Sequence, residues 1–141
     1  MDENIKFIQG ALERGINNFD IADYWDHEML NTQRFKEVVK ELGLPRESYK
    51  VGLKVFTNST ESREQVVKQL LDLLDMEYVD SILFSRPNMQ ETMQEAVEAM
   101  NAVMEQGLTK ELDFSLWDAP QLKEAYHSIT LLQGNGGAGC A

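Results

Sequence analysis

The stretch Ile16-Asn17-Asn18-Phe19-Asp20-Ile21-Ala22-Asp23-Tyr24-Trp25 decides the fold class. It opens just after a glycine, runs through a short apolar segment interrupted by one carboxylate, Asp20, and passes into a polar loop carrying Tyr24, Trp25 and His27. The plan then recurs. Polar residues close apolar runs at Asp20, Lys54, Ser85 and Ser115, in steps of 34, 31 and 30 residues, close to the ~30 residues of one strand-plus-helix unit.

Between these points the helical signals are regular. Ile5, Ile8, Ala11 and Leu12 share one face over residues 4–14 and Gly15 follows as a stop; Phe35, Val38, Val39 and Leu42 do the same from a cap at Asn31 or Thr32, ended by Gly43 and Pro45. Ser62 and Gln65 have capping-box spacing ahead of Val66, Val67, Leu70, Leu71 and Leu74. Met93, Ala96, Val97, Met100, Val103 and Met104 form a further stripe stopped by Gly107, in which the methionines read as helix-to-sheet packing. Asp118 and Pro120 open a last helix holding Leu122, Ala125 and Tyr126.

Strands are expected at 18–22, 49–56, 78–85 and 112–116, with a final one at Ile129–Leu132. Strict alternation implies a parallel sheet, because parallel neighbours need a crossover, and right-handed crossovers put the helices on one face. The fold class is therefore α/β, built of parallel βα repeats. All four marked polar residues fall at the carboxyl edge, where active sites of barrels and open α/β sheets lie.

Composition bounds the rest. A chain of 141 residues with 43% hydrophobic content supports one soluble domain. The apolar runs are far short of the ~20 residues of a membrane span, and Met1-Asp2-Glu3-Asn4 lacks the pattern of a signal peptide, so the expectation is cytoplasmic. A net charge of −11 excludes nucleic acid and anionic lipid as partners. Cys140 has no second cysteine to pair with, and His27 and His127 show no metal-ligand spacing, so no metal is expected. The end Gly134-Asn-Gly136-Gly-Ala-Gly139 has the letters of a dinucleotide fingerprint but no helix after it; residues 1–133 read as the domain and 134–141 as a flexible Gly-rich tail.

Several ordered motifs resemble one family. Gly15-Ile-Asn-Asn-Phe-Asp-Ile-Ala-Asp-Tyr24 is similar to the aldo-keto reductase pattern G-I-N-x-F-D-T-A-x-x-Y, and Leu53-Lys-Val-Phe56 to its T-K-x-F. Leu73-Leu-Asp-Met-Glu-Tyr-Val-Asp80 resembles L-x-x-L-x-x-x-Y-V-D, and Leu83-Phe-Ser-Arg-Pro87 resembles L-x-H-R-P. Glu91-Thr92, Ala99-Met100 and Phe114-Ser-Leu-Trp117 continue the series, covering residues 8 to 127, with a flavour nearest the potassium-channel β-subunit branch.

The resemblance implies part of a TIM (β/α)8 barrel with roughly five strands, since a whole barrel takes ~250 residues. It implies hydride transfer from NADPH to an aldehyde or ketone with proton donation by a tyrosine. A phenol of reference pKa near ~10 needs a neighbouring cation to act as an acid at neutral pH. On this reading Asp20 is the orienting carboxylate, Lys54 the cation, Tyr24 the proton donor and Ser85 the residue at the family's usual His position, while Asp20, Lys54 and Ser115 face the cofactor.

The departures imply relaxed or redirected chemistry. Tyr24 follows Asp20 by four residues where the family has five, and Trp25 takes the fifth place; Ser115-Leu116 replaces Ser-Asn, and Asp113 stands at a usual glycine. The part that grips the adenosine phosphate in the family lies beyond the match, which puts NADPH binding in doubt. Open sheet edges are templates for association, so the expected partners are a second copy or another protein covering them. A non-catalytic interaction or regulatory protein, similar to channel β subunits, is the alternative reading.

Overall fold

The structure, a computed structural model, describes residues 3–22, 29–56, 62–87 and 91–134, with side chains as far as Ile129. Its strands are β1 (Asn18–Ala22), β2 (Lys50–Val55), β3 (Val79–Ser85) and β4 (Thr109–Ser115). They alternate with α1 (Glu3–Glu13), α2 (Leu30–Glu41), α3 (Arg63–Leu74), α4 (Met93–Glu105) and α5 (Ala119–Gly134). All four strands pair in parallel in the order β1-β2-β3-β4. The order never reverses, so the sheet has no switch point of the doubly wound kind among the described residues and instead follows the sequential course of a barrel wall.

The period of two along each strand sorts the faces. Phe19 and Ile21, Val51, Leu53 and Val55, Ile82 and Phe84, and Leu112 and Phe114 point to the helices and join one hydrophobic core with Val67, Leu70, Leu71, Leu74, Ala96, Val97, Met100 and Val103. The other face carries Asp20, Gly52, Lys54, Ser81, Leu83, Glu111, Asp113 and the two strand-end serines. In a barrel wall that second face is the interior.

Local chemistry explains the boundaries. Ser62 and Gln65 form the expected capping box, with the Gln65 amide 3.3 Å from the Ser62 hydroxyl and the Ser62 amide 2.9 Å from the Gln65 side chain; Thr92 and Glu95 make a second at α4. Gly15, Gly43 and Gly107 adopt positive φ at the helix ends where stops were expected. Of the stripe's methionines, Met100 is fully buried in the core and Met93 packs against it.

Three expectations are corrected. Residues Ile129–Leu132 are not a strand: they continue α5, because Leu122, Ala125 and Ile129 keep a helical spacing that no glycine or proline interrupts. The described residues therefore hold four strands. α2 takes neither Asn31 nor Thr32 as cap, but starts after Met29 in a left-handed conformation, and the Asn31 side chain instead donates to the Ala22 carbonyl at 3.1 Å. β4 begins three residues before the expected Leu112, with Thr109 buried although the charged Lys110 and Glu111 follow it. Residues 135–141, most of the Gly-rich tail, lie outside the described residues.

The amino-terminal end of the sheet is tied by Arg46. Its guanidinium donates to the Tyr49 carbonyl at 2.9 Å and to Asp80 at 2.8 Å, and lies over the Tyr78 ring at 4.4 Å. Burial alone would raise the Asp80 carboxyl, but the Arg46 hydrogen bond, the Val51 amide, the Arg46 charge and Lys110 outweigh it and hold it below its usual range.

Candidate active site

The inner face is built row by row. Register places Asp20 beside Gly52, Gly52 beside Ser81, and Ser81 beside Glu111; one row nearer the carboxyl edge, Ala22, Lys54, Leu83 and Asp113 stand side by side. A cleft of about 230 Å³ crosses these rows, lined by Asp20, Gly52, Leu53, Lys54, Ser81, Leu83 and Asp113. Asp20 and Lys54, 34 residues apart in sequence, thus share one cleft because parallel pairing of β1 with β2 aligns them diagonally.

Gly52 makes this possible. A Cβ at that position would collide with the Asp20 carboxylate and come within 3.0 Å of the Ser81 hydroxyl, so the bare backbone lets both side chains lie across β2. Asp113, which stands at the family's usual glycine position, is solvent-exposed and lines the cleft.

Ser85 and Ser115 form a second pair, opposite each other at the ends of β3 and β4 and outside the cleft lining. Ser85 is buried, and its carbonyl accepts from Arg63 at 2.8 Å. Tyr24, the expected proton donor, lies outside the described residues, as do Trp25 and His27.

Arg63 is the residue that sequence reasoning missed. It is fully buried, grips both Glu91 oxygens at 2.8 Å each, and stacks over Phe84 and Trp117 at 5.3 and 5.9 Å. Trp117 in turn donates to the Phe84 carbonyl at 3.0 Å, and the Arg86 amide donates to the Ser115 carbonyl at 3.0 Å. The segments leaving β3 and β4 are therefore fastened to the starts of α3 and α4. The signal available was a cation in the first turn of a helix, where the dipole disfavours it unless a carboxylate compensates.

With four sequential parallel strands, an outer helical layer and Asp20 and Lys54 converging on the inner face, the comparisons with known proteins agree. The aldo/keto reductase family model matches residues 1–134. The chain belongs to the aldo/keto reductase family.

Among its relatives, a Schizosaccharomyces pombe protein carrying the provisional description of voltage-gated potassium channel subunit beta is 31% identical over 134 residues, covering 87% of this chain and 39% of that one. A probable voltage-gated potassium channel subunit beta of Arabidopsis thaliana is 30% identical over 128 residues, covering 84% and 39%. Among solved structures, the thermostable aldo-keto reductase Tm1743 superposes with a TM-score of 0.74 at 24% identity, covering 89% of this chain and 45% of its own. An aldo/keto reductase from Brucella melitensis gives 0.72 at 20%, covering 92% and 50%. The fold is a partial TIM barrel of that family, and the chain spans about two fifths of the length of the curated relatives it matches. No helix among the described residues is long and apolar enough to cross a membrane.

Proposed function

We propose that this chain carries the acid-and-cation half of an aldo-keto reductase site for NADPH-linked carbonyl reduction, and that turnover by the chain alone is impaired. The observation that carries the reading is the sharing of one cleft by Asp20 and Lys54. An ammonium there stabilises a neighbouring phenolate, and a carboxylate beside it keeps that ammonium oriented and charged. In this reading Lys54 lowers the pKa of the Tyr24 phenol, Asp20 orients Lys54, and the Tyr24 oxygen gives up the proton.

The donor set suits the reacting end of a nicotinamide nucleotide: the Ser115 hydroxyl would take its carboxamide beside Asp20 and Lys54, and the Ser85 hydroxyl, at the family's usual His position, would hydrogen-bond the substrate carbonyl. Bound there, the cofactor would supply the hydride. It suits the phosphates poorly, since among the described residues Lys54 is the one cation lining the cleft and Asp20 and Asp113 line it too. Impairment follows from that imbalance. Titration with NADPH, followed by nicotinamide fluorescence to well above micromolar concentration, should show weak enhancement that Lys54→Met abolishes; no change at all would overturn the reading.

The relatives favour a second reading. At 30 and 31% identity they carry the description of potassium channel β subunits, so a cytoplasmic regulatory chain that binds a protein partner or a second copy through its open sheet is the alternative. A monodisperse monomer by light scattering, together with no recovered partner in a pull-down, would count against it.

A further inference from the structure

One carboxylate of the cleft has no task in the chemistry above. Asp113 lines the cleft and is solvent-exposed. Among the described residues no hydrogen bond or ion pair reaches its side chain, and its register partner on β3 is the apolar Leu83. The charged groups lining the cleft are two carboxylates, Asp20 and Asp113, against one ammonium, Lys54, which leaves one negative charge in excess.

The position of Asp113 relative to Ser115 gives that charge a target. The two residues lie two positions apart on β4, so they share the inner face with Cα atoms about 6–7 Å apart. Lys54, in the same row as Asp113, is two strands away, about 10 Å along the sheet. A nicotinamide whose carboxamide is held by Ser115 is therefore anchored nearer to Asp113 than to Lys54. That ring changes charge when it reacts. Hydride leaves C4 of the neutral dihydronicotinamide for the carbonyl carbon, the carbonyl oxygen takes the proton from Tyr24, and the ring is left as a pyridinium cation. A fixed carboxylate nearby stabilises the cation and does little for the neutral ring.

We infer that Asp113 biases the candidate site toward the oxidised nicotinamide, so that the reduced form held there is a stronger hydride donor. The inference rests on the cofactor reading above and adds to it the residue that sets the direction of transfer. Coulomb's law at about 8 Å gives a preference of about twofold if water screens the pair fully, and about thirtyfold at the effective dielectric of ~20 typical near a protein surface. NADP+ and NADPH carry the same phosphates, so the ratio of their dissociation constants cancels the weak grip on phosphate and isolates the ring.

The test titrates the 15N-labelled chain with NADP+ and, separately, with NADPH, each up to about 5 mM at low salt, and follows the amide shifts along β4. Asp113→Asn keeps the shape of an exposed side chain and removes its charge. It should lower the preference for NADP+ over NADPH by between about twofold and about thirtyfold, and Asp113→Lys should lower it further. Glu111→Gln removes another exposed carboxylate of β4, two residues farther from Ser115, and should move the ratio less. An unchanged ratio in Asp113→Asn would overturn the inference and leave the cofactor reading in place. An equal change in Glu111→Gln would overturn it too, because net charge acting at long range would then account for the effect. Failure of both forms to bind would remove the cofactor reading and the inference with it.

Discussion

The carboxylate of Asp20 occupies the space in which a side chain at residue 52 would stand, and Gly52 is its register partner on the neighbouring strand. The two positions are therefore coupled: the acid can lie across the sheet only because its neighbour has no Cβ.

Gly52→Ala should accordingly cost about 1–3 kcal/mol, the usual range for overfilling a packed site. Adding Asp20→Ala should recover most of that, since the collision is with the carboxylate. Chemical denaturation of the two single variants and the double variant measures the coupling; additive losses would show that the added methyl group meets some other obstacle.

The buried pair Arg63–Glu91 should behave asymmetrically. Glu91→Gln leaves a fully buried guanidinium without its counter-ion, so a loss of about 3–5 kcal/mol is expected, whereas replacing both partners by apolar residues of similar volume should cost far less. Urea midpoints of the single and double variants check this.

Leu116 adopts φ +64 and is 71% exposed. A leucine held in the left-handed region without burial to offset the strain costs about 1–2 kcal/mol. Leu116→Gly and Leu116→Asn should therefore raise the melting temperature, with Asn tolerating the conformation through its short polar side chain. A lower melting temperature for both would mean that Leu116 makes a contact worth more than its strain.

Acid stability should depend on Asp80. Its folded-state pKa is depressed, so the stabilisation it brings is fully present above the unfolded value near ~3.9 and is lost as pH falls through the folded value. Asp80→Asn should lower stability at neutral pH and flatten the decline below about pH 4. Parallel melts from neutral pH down to about pH 2 read the two slopes.

The parts of this fold that were legible in the sequence are those whose signals are local. Ser62 with Gln65, the three stop glycines and the methionine stripe of α4 each declare themselves within a few residues, and the central strands β2 and β3 lie within one residue of where their apolar runs end. Signals that depend on distant partners were not legible. Thr109 and Lys110 precede the strand expected at 112–116, yet both belong to β4, Thr109 is buried and Lys110 reaches Asp80 at 3.4 Å. Arg63 and Glu91 are separated by 28 residues, and nothing near either one announces the other. The candidate site shows the same division: Asp20 and Lys54 stood out as polar residues closing apolar runs, while Gly52 and Ser81 acquire meaning only through the pairing register.

The knot around Arg63 also bears on how the chain comes apart. One guanidinium holds the start of α3, the end of β3 and the approach to α4, while its stacking on Trp117 draws in the exit of β4. Two successive βα units thus share a single fastening, and neither can open without disturbing the other. In hydrogen exchange the amides at the ends of β3 and β4 should open together with one free energy, marking the boundary of a cooperative unit that cuts across the repeat instead of following it.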